Sequence, residues 1–319
     1  MTDLQVTLPG MAVGQTPTIR VEHVSKWYGD VVAVSDISFG IAPGVTGLLG
    51  PNGAGKSTCL KMLSGLLAPS TGTITVAGES VRSNPAVYRH IGLVGEQEHF
   101  YPFLTGREFV RWNAVMQGIP NPDTATDRTI ALVEMTEPAQ RKIGGYSKGM
   151  RQRIKIAAAL VHDPEIVLLD EPLNGTDPVQ RAAIIDLMHR LGQEGRTVVV
   201  SSHVLSEVER FAQNILVIVN GKLAAAGDYL AIRERMDQHP HAIAIRANDP
   251  RRLAGALVAH PSIRSVRFDE DERLIAETDD IRAFSHALPI VARDANVRLL
   301  EVWPVDESLS SVFSYLVGR

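Results

Sequence analysis

The run VTGLLGPNGAGKST, Val45 to Thr58, decides how the rest of the chain is read. Its first five residues are a short apolar stretch of the kind that fills a buried strand. GPNGAGKST, Gly50 to Thr58, then fits the pattern G-x-x-x-x-G-K-[ST]. Across Gly50, Pro51, Asn52, Gly53, Ala54 and Gly55 the glycines let the backbone wrap closely, so its N–H groups point inward at phosphate oxygens. Lys56 reaches the outer phosphates, the Ser57 hydroxyl can take a Mg²⁺ position, and Thr58 completes the motif on an opening helix. That helix N-terminus adds partial positive charge. The competing reading is an ordinary glycine turn. A chance match in a chain this long is on the order of one in a hundred at average composition. The position between an apolar strand and a helix is the one phosphate binding requires.

Further along, EIVLLDEP (Glu165 to Pro172) brings Asp170 and Glu171 to the end of a buried-type strand. A carboxylate there can hold Mg²⁺ directly or through water, and its neighbour can orient or deprotonate an attacking water. Seen alone, the same residues also read as a solvated acidic turn. His203 ends a second apolar strand, TVVVSSH. Most isolated histidines are structural, but the C-terminal ends of parallel strands are where such sheets place their ligands.

Around these segments the chain reads as α/β. IRVEHV and VSDISFGI alternate like half-buried antiparallel strands, and ILVIVN (Ile215 to Asn220) is another buried strand. Strands alternating with helical stretches argue a parallel sheet with helices on its faces. A helical insertion is expected over about 99–160. Residues 1–17 read as a loose leader, and DYLAIRERMDQ as a helix before a polar linker. From 241 to 319 the order is strand (HAIAIRA), helix, hairpin, helix, strand (VRLLEVW): a βαββαβ-like α+β domain with a closing helix.

Composition narrows the classes. The 319 residues suggest two domains, and 45% apolar with 21% charged residues is the balance of a globular protein. Basic and acidic residues number 32 and 36, a net charge of −4, so no nucleic-acid partner is expected. One cysteine, Cys59, excludes an internal disulfide framework and reads as a buried packing residue. No apolar window is long enough to span a bilayer, the start lacks a signal peptide's features, and the histidines show no ligand spacing.

Taken together, the motifs resemble the ATP-binding subunit of an ATP-binding-cassette (ABC) transporter, over roughly residues 18–235. YSKGMRQR, Tyr146 to Arg153, stands where that family has its signature, with Ser147, Lys148 and Gly149 at its serine-glycine-glycine. NGTDP, Asn174 to Pro178, resembles the D-loop, with Thr176 where leucine is usual. Tyr28 in KWYGD matches the aromatic that stacks on adenine. The Q-loop glutamine falls in IGLVGEQEHFYPFLTGRE. There Glu96 holds the register position, Gln97 follows it, and either could reach Mg²⁺. WPVDESLSSVFSYLVG resembles the closing pattern of subunits serving ABC-2-type exporters.

The resemblance implies a P-loop ATPase core with an antiparallel β subdomain, and ATP and Mg²⁺ as cofactors. It implies a head-to-tail dimer with a second copy or a paralogous ATPase, and separate polytopic membrane permease subunits. The place implied is cytoplasmic, peripheral on the inner face of the membrane. Ser147 and Gly149 would complete the partner's site, Glu171 would polarise the attacking water, and His203 would sense the γ-phosphate. Phe100, Tyr101, Phe103 and Leu104 would receive a short helix of the membrane partner, unless they pack the insertion's own core. Two other readings stay open: a free-standing ABC ATPase, and a nucleotide-gated regulatory subunit not engaged in transport. The N-K-x-D motif of a GTPase does not occur.

Overall fold

A computed structural model describes residues 16–82, 84–97, 100–228, 241–269 and 273–305, in two compact units divided between Asp228 and Tyr229. Most of the expected leader, the body of the DYLAIRERMDQ helix and the closing helix ESLSSVFSYLV lie outside the described residues.

In the first unit β1 (Ile19–Tyr28) pairs antiparallel with β2 (Val31–Ile41). On its other side β1 meets β4 (Thr71–Val76), which carries the short β5 (Glu79–Ser80). The second sheet contains β3 (Gly44–Leu49), β6 (Ile91–Val94), β7 (Ile166–Asp170), β8 (Thr197–Ser202), β9 (Asn214–Val219) and β10 (Lys222–Asp228). Their order is β10-β9-β3-β8-β7-β6, all parallel except the antiparallel edge strand β10. Every residue of β7 and β8 is buried, the reason both read as unbroken apolar runs. The sequence reading passed over β4, β5, β6 and β10. TGTITV is half polar, IGLV is four residues long, and KLAAAGD lacks the β-branched residues that mark a strand.

Helix α1 (Lys56–Leu63) starts directly after the glycine-rich loop. The helical region holds α2 (Gly106–Met116), α3 (Pro122–Leu132) and α4 (Lys148–Leu160). A capping box fixes the start of α2, where Thr105 and Glu108 each satisfy the other's backbone N–H. These backbone and hydroxyl donors hold the Glu108 carboxyl below its usual pKa. α5 (Pro178–Gln193) and the four-residue α6 (Leu205–Val208) follow β7 and β8. Cys59 on α1 is 1% exposed, and burial pushes its thiol up to about 12. At pH 8 the thiol stays protonated, and its burial keeps reagents away. A maleimide should therefore label the unfolded protein only, and full labelling of the native protein within minutes would contradict this placement.

The second unit runs β11 (His241–Ala247), α7 (Pro250–Val258), β12 (Ser265–Phe268), β13 (Leu274–Thr278), α8 (Ile281–Asp294) and β14 (Leu299–Pro304). Its antiparallel sheet has the order β12-β13-β11-β14. Leu253, Leu257, Phe284 and Leu288 of the helices pack on Ile243, Ile245 and Leu274. This is the split βαβ arrangement read from the alternating pattern.

Candidate functional site

The strand order sets the site. β3, β8 and β7 are neighbours and parallel, so their C-terminal ends bring the glycine loop, His203 and the Asp170–Glu171 pair to one edge. Gly55 adopts φ 106°, and a Cβ there would stand 2.5 Å from Ala33 O. Only glycine fits this last loop position before the helix. Lys56 is 6% exposed and folds over its own loop, donating to Gly50 O at 2.8 Å and Pro51 O at 3.2 Å. Its Nζ also lies 3.6 Å from Glu171 Oε1.

Glu171 is held from several directions. Its Oε2 is 2.9 Å from His203 Nδ1, while its backbone N donates to Ser201 Oγ at 2.9 Å. Ser201 Oγ in turn donates to Asp170 Oδ1 at 2.6 Å. One hydroxyl on β8 therefore fixes both acidic residues at the end of β7. Glu171 sits at φ 49°, a conformation uncommon outside glycine, and this web of contacts holds it there.

A cavity of about 460 Å³ is lined by Asn52, Lys56, Ser57, Glu96, Glu171 and His203, with Gly53, Gly55, Thr58 and Asn174 at its wall. Gln97 and Asp170 line an adjoining groove of about 520 Å³, which Ser57 and Glu96 share. Of the two Q-loop candidates, Glu96 alone is in the phosphate cavity. The oxygen-only donor set of Ser57, Glu96 and Asp170 suits a hard cation such as Mg²⁺. The Ser57 hydroxyl makes no hydrogen bond among the described residues, leaving its oxygen available. Among the described residues no group of three His, Cys, Asp or Glu could hold a metal. Three protein oxygens leave the rest of an octahedral shell to water and phosphate.

Gly50, Pro51 and Ala54 belong to the loop without lining the cavity, and Tyr28, Ser147 and Gly149 line neither the cavity nor the groove. Tyr28, 51% exposed, sits at the tip of the β1–β2 hairpin with Lys26 Nζ 5.3 Å from its ring centroid. Ser147 caps α4 by accepting from Met150 N at 3.2 Å, so its own O–H remains to donate. Gly149 has a reason within its own chain, since a Cβ there would stand 2.7 Å from Gln180 Cγ. Lys148 lies across Gly175, whose Cβ would stand 2.5 Å from the lysine Nζ. Thr176 is buried and donates to Leu173 O at 2.7 Å, which satisfies the hydroxyl that replaces the usual leucine. Asp177 caps α5, accepting from Val179 N and Gln180 N.

Sequence reasoning missed Ser201, since a serine at a strand end carries no motif. It also grouped four aromatic-region residues that the structure separates. Phe100 packs against Phe109 with ring centroids 5.3 Å apart and planes tilted by 55°, and Leu104 is half-buried. Tyr101 and Phe103 are 46% and 67% exposed, and Tyr101 lies 5.4 Å from Trp112.

Comparison with known proteins bears on the family. The family model described as ABC transporter matches residues 34–174. The bacitracin transport ATP-binding protein BcrA of Bacillus licheniformis is 31% identical, over 94% of this chain and 97% of that one. The Nod factor export ATP-binding protein I of Rhizobium leguminosarum bv. viciae is 34% identical, over 94% and 95%. A solved dimeric ATP-binding cassette in a post-hydrolysis state with ADP and Pi superposes with a TM-score of 0.60 at 25% identity, covering 66% of this chain and 98% of the cassette. With the glycine loop, acidic pair and strand order in place, this chain belongs to the ATP-binding subunits of ABC transporters, and hydrolyses ATP to power transport.

Proposed function

We propose that this chain works as half of a head-to-tail pair, with a second copy or a paralogous ATPase, and powers export through separate polytopic membrane subunits. The observation that carries the catalytic reading is the chain of contacts Lys56–Glu171–His203 across the mouth of the phosphate cavity. Tyr28 stacks on adenine. The backbone of Gly50 to Gly55, with Lys56 and Thr58, cradles the phosphates. Ser57, Glu96 and Asp170 would hold Mg²⁺, with Gln97 beside Asp170 in the adjoining groove. When bound, that ion neutralises charge on the outer phosphate oxygens.

Glu171 orients the attacking water and takes its proton, and His203 keeps the carboxylate aimed while facing the γ-phosphate. The Ser147 O–H and Gly149 N–H, at the start of α4, complete the site of the other subunit. Splitting a site between two chains ties closure to chemistry, because phosphoryl transfer is chiefly positioning and charge stabilisation. A solved relative that is itself a dimer supports the pairing. Export is supported by the relative named for it and by the closing segment's resemblance to ABC-2-type subunits.

The place follows from the partners. Among the described residues no helix is long and apolar enough to cross a membrane. On this reading the permease holds the chain at the cytoplasmic face. Tyr101, Phe103 and Trp112 are exposed aromatics at the edge of the helical region. The nearby groove, with Leu66, Tyr88 and Phe109 in its lining, takes a short helix of the membrane subunit. Tyr101→Asp with Phe103→Asp is expected to keep ATPase activity and thermal stability while losing the membrane subunit in a detergent pull-down. Co-purification at the parent level would remove these aromatics from docking. Loss of fold would assign them to the core instead.

A further inference from the structure

Lys155 stands on α4, about two turns from the Ser147 cap. Its Nζ donates to Gly95 O at 2.5 Å and to Gln97 O at 3.2 Å. Those two carbonyls flank Glu96. Residues 95 to 97 follow β6 without helix or strand and are exposed, and Gly95 brings no side chain to fix its own torsions. The hold therefore has to come from elsewhere.

It comes from a helix already locked to that strand. A Cβ at Gly92 in β6 would stand 2.4 Å from Ala159 O of α4, so the two backbones are in close contact. Just past the helix end, His162 Nε2 lies 3.1 Å from Ile91 O. A carbonyl only accepts, so that ring nitrogen carries the hydrogen. Burial lowers the His162 pKa, in keeping with a neutral ring. Lys155 extends this anchoring past the end of the strand, to the segment that carries Glu96 into the phosphate cavity.

We propose that Lys155 is a positioning residue: it holds the carbonyls of the two residues on either side of Glu96, and so fixes that carboxylate for the Mg²⁺ of the nucleotide complex. The proposal rests on the reading of Glu96 as a metal ligand. The clamp matters because partners behind a ligand set its orientation, and their loss weakens metal binding while the ligand itself remains. It also gives one helix two duties, since α4 presents Ser147 at its N-terminus to a partner's nucleotide and Lys155 at its middle to the segment that carries the chain's own Glu96.

The test compares equilibrium affinity for a fluorescent ATP analogue in Mg²⁺ and in EDTA. Lys155→Met retains the aliphatic stem and removes the donors. Its affinity in EDTA should match the parent, whereas the tightening produced by Mg²⁺ should fall about tenfold. Lys155→Arg should restore most of it, because its guanidinium presents several donors. Without nucleotide, amide exchange should quicken at residues 95–97 in the Met variant and stay unchanged in β7 and β8. In a Glu96→Ala background, Lys155→Met should add nothing.

An unchanged Mg²⁺ response, or an additive loss in the Glu96→Ala background, would overturn the positioning role. So would faster exchange at 95–97 with the Mg²⁺ response intact. If Glu96→Ala alone leaves the Mg²⁺ response unchanged, the metal reading of Glu96 fails, and this proposal falls with it.

Discussion

Glu171→Gln is expected to bind ATP within a few-fold of the parent while turnover falls about a thousandfold. The two side chains are nearly isosteric, and glutamine can stay hydrogen-bonded to His203, which now lies 2.9 Å from the carboxylate. The backbone N of residue 171 still donates to Ser201 Oγ, so its φ of 49° keeps its support. What disappears is the carboxylate at the end of β7 that this reading assigns to take a proton from water. Binding is spared because the phosphate contacts belong to the glycine loop and to Lys56, which donates to its own loop at Gly50 O and Pro51 O. Phosphate release, equilibrium nucleotide binding and light scattering in Mg·ATP check the three parts. Binding and dimer formation should persist as hydrolysis stops. Hydrolysis within a few-fold of the parent would take the general-base role away from Glu171.

That residue also shows where a sequence becomes legible. The glycine loop, the acidic strand end and His203 were readable because each couples a motif to an apolar run of a given length. Their convergence follows from parallel strands ending on one edge. Ser201 was not readable, although it ties Asp170 to Glu171 through one hydroxyl. Its role depends on β8 lying between β3 and β7, and strand order is not written in local pattern. Glu96 and Gln97 differ by one residue in a stretch without periodicity, so only the backbone path could place Glu96 in the cavity and Gln97 in the groove. Gly149 shows another limit. A signature glycine reads as a phosphate contact, yet its closest constraint is Gln180 of the same chain. The small second unit was legible in its order of strands and helices, although Pro289 lies inside α8 and β14 shows no alternation of burial.

Lys56→Met should abolish detectable ATP binding, a loss of a hundredfold or more on the order expected when charged hydrogen bonds to phosphate are removed. The same substitution should also lower stability before any nucleotide is added. Lys56 and Glu171 have side chains 7% and 9% exposed and stand 3.6 Å apart, so removing the ammonium leaves a buried carboxylate with His203 Nδ1 as its remaining side-chain partner. Breaking one side of such a pair costs about 3 kcal/mol, or about 6 °C in Tm for a unit of this size. Removing both charges is far cheaper than removing one. Lys56→Met combined with Glu171→Gln should therefore recover most of the lost Tm, and it should still fail to bind ATP. That divergence separates the two duties of the lysine: holding phosphate, and neutralising the carboxylate when phosphate is gone. If the double variant melts as early as Lys56→Met alone, the pair is not an electrostatic unit, and the cost lies in the lysine's bonds to Gly50 O and Pro51 O. If Lys56→Met retains ATP affinity within a few-fold, the glycine loop's backbone carries phosphate binding by itself.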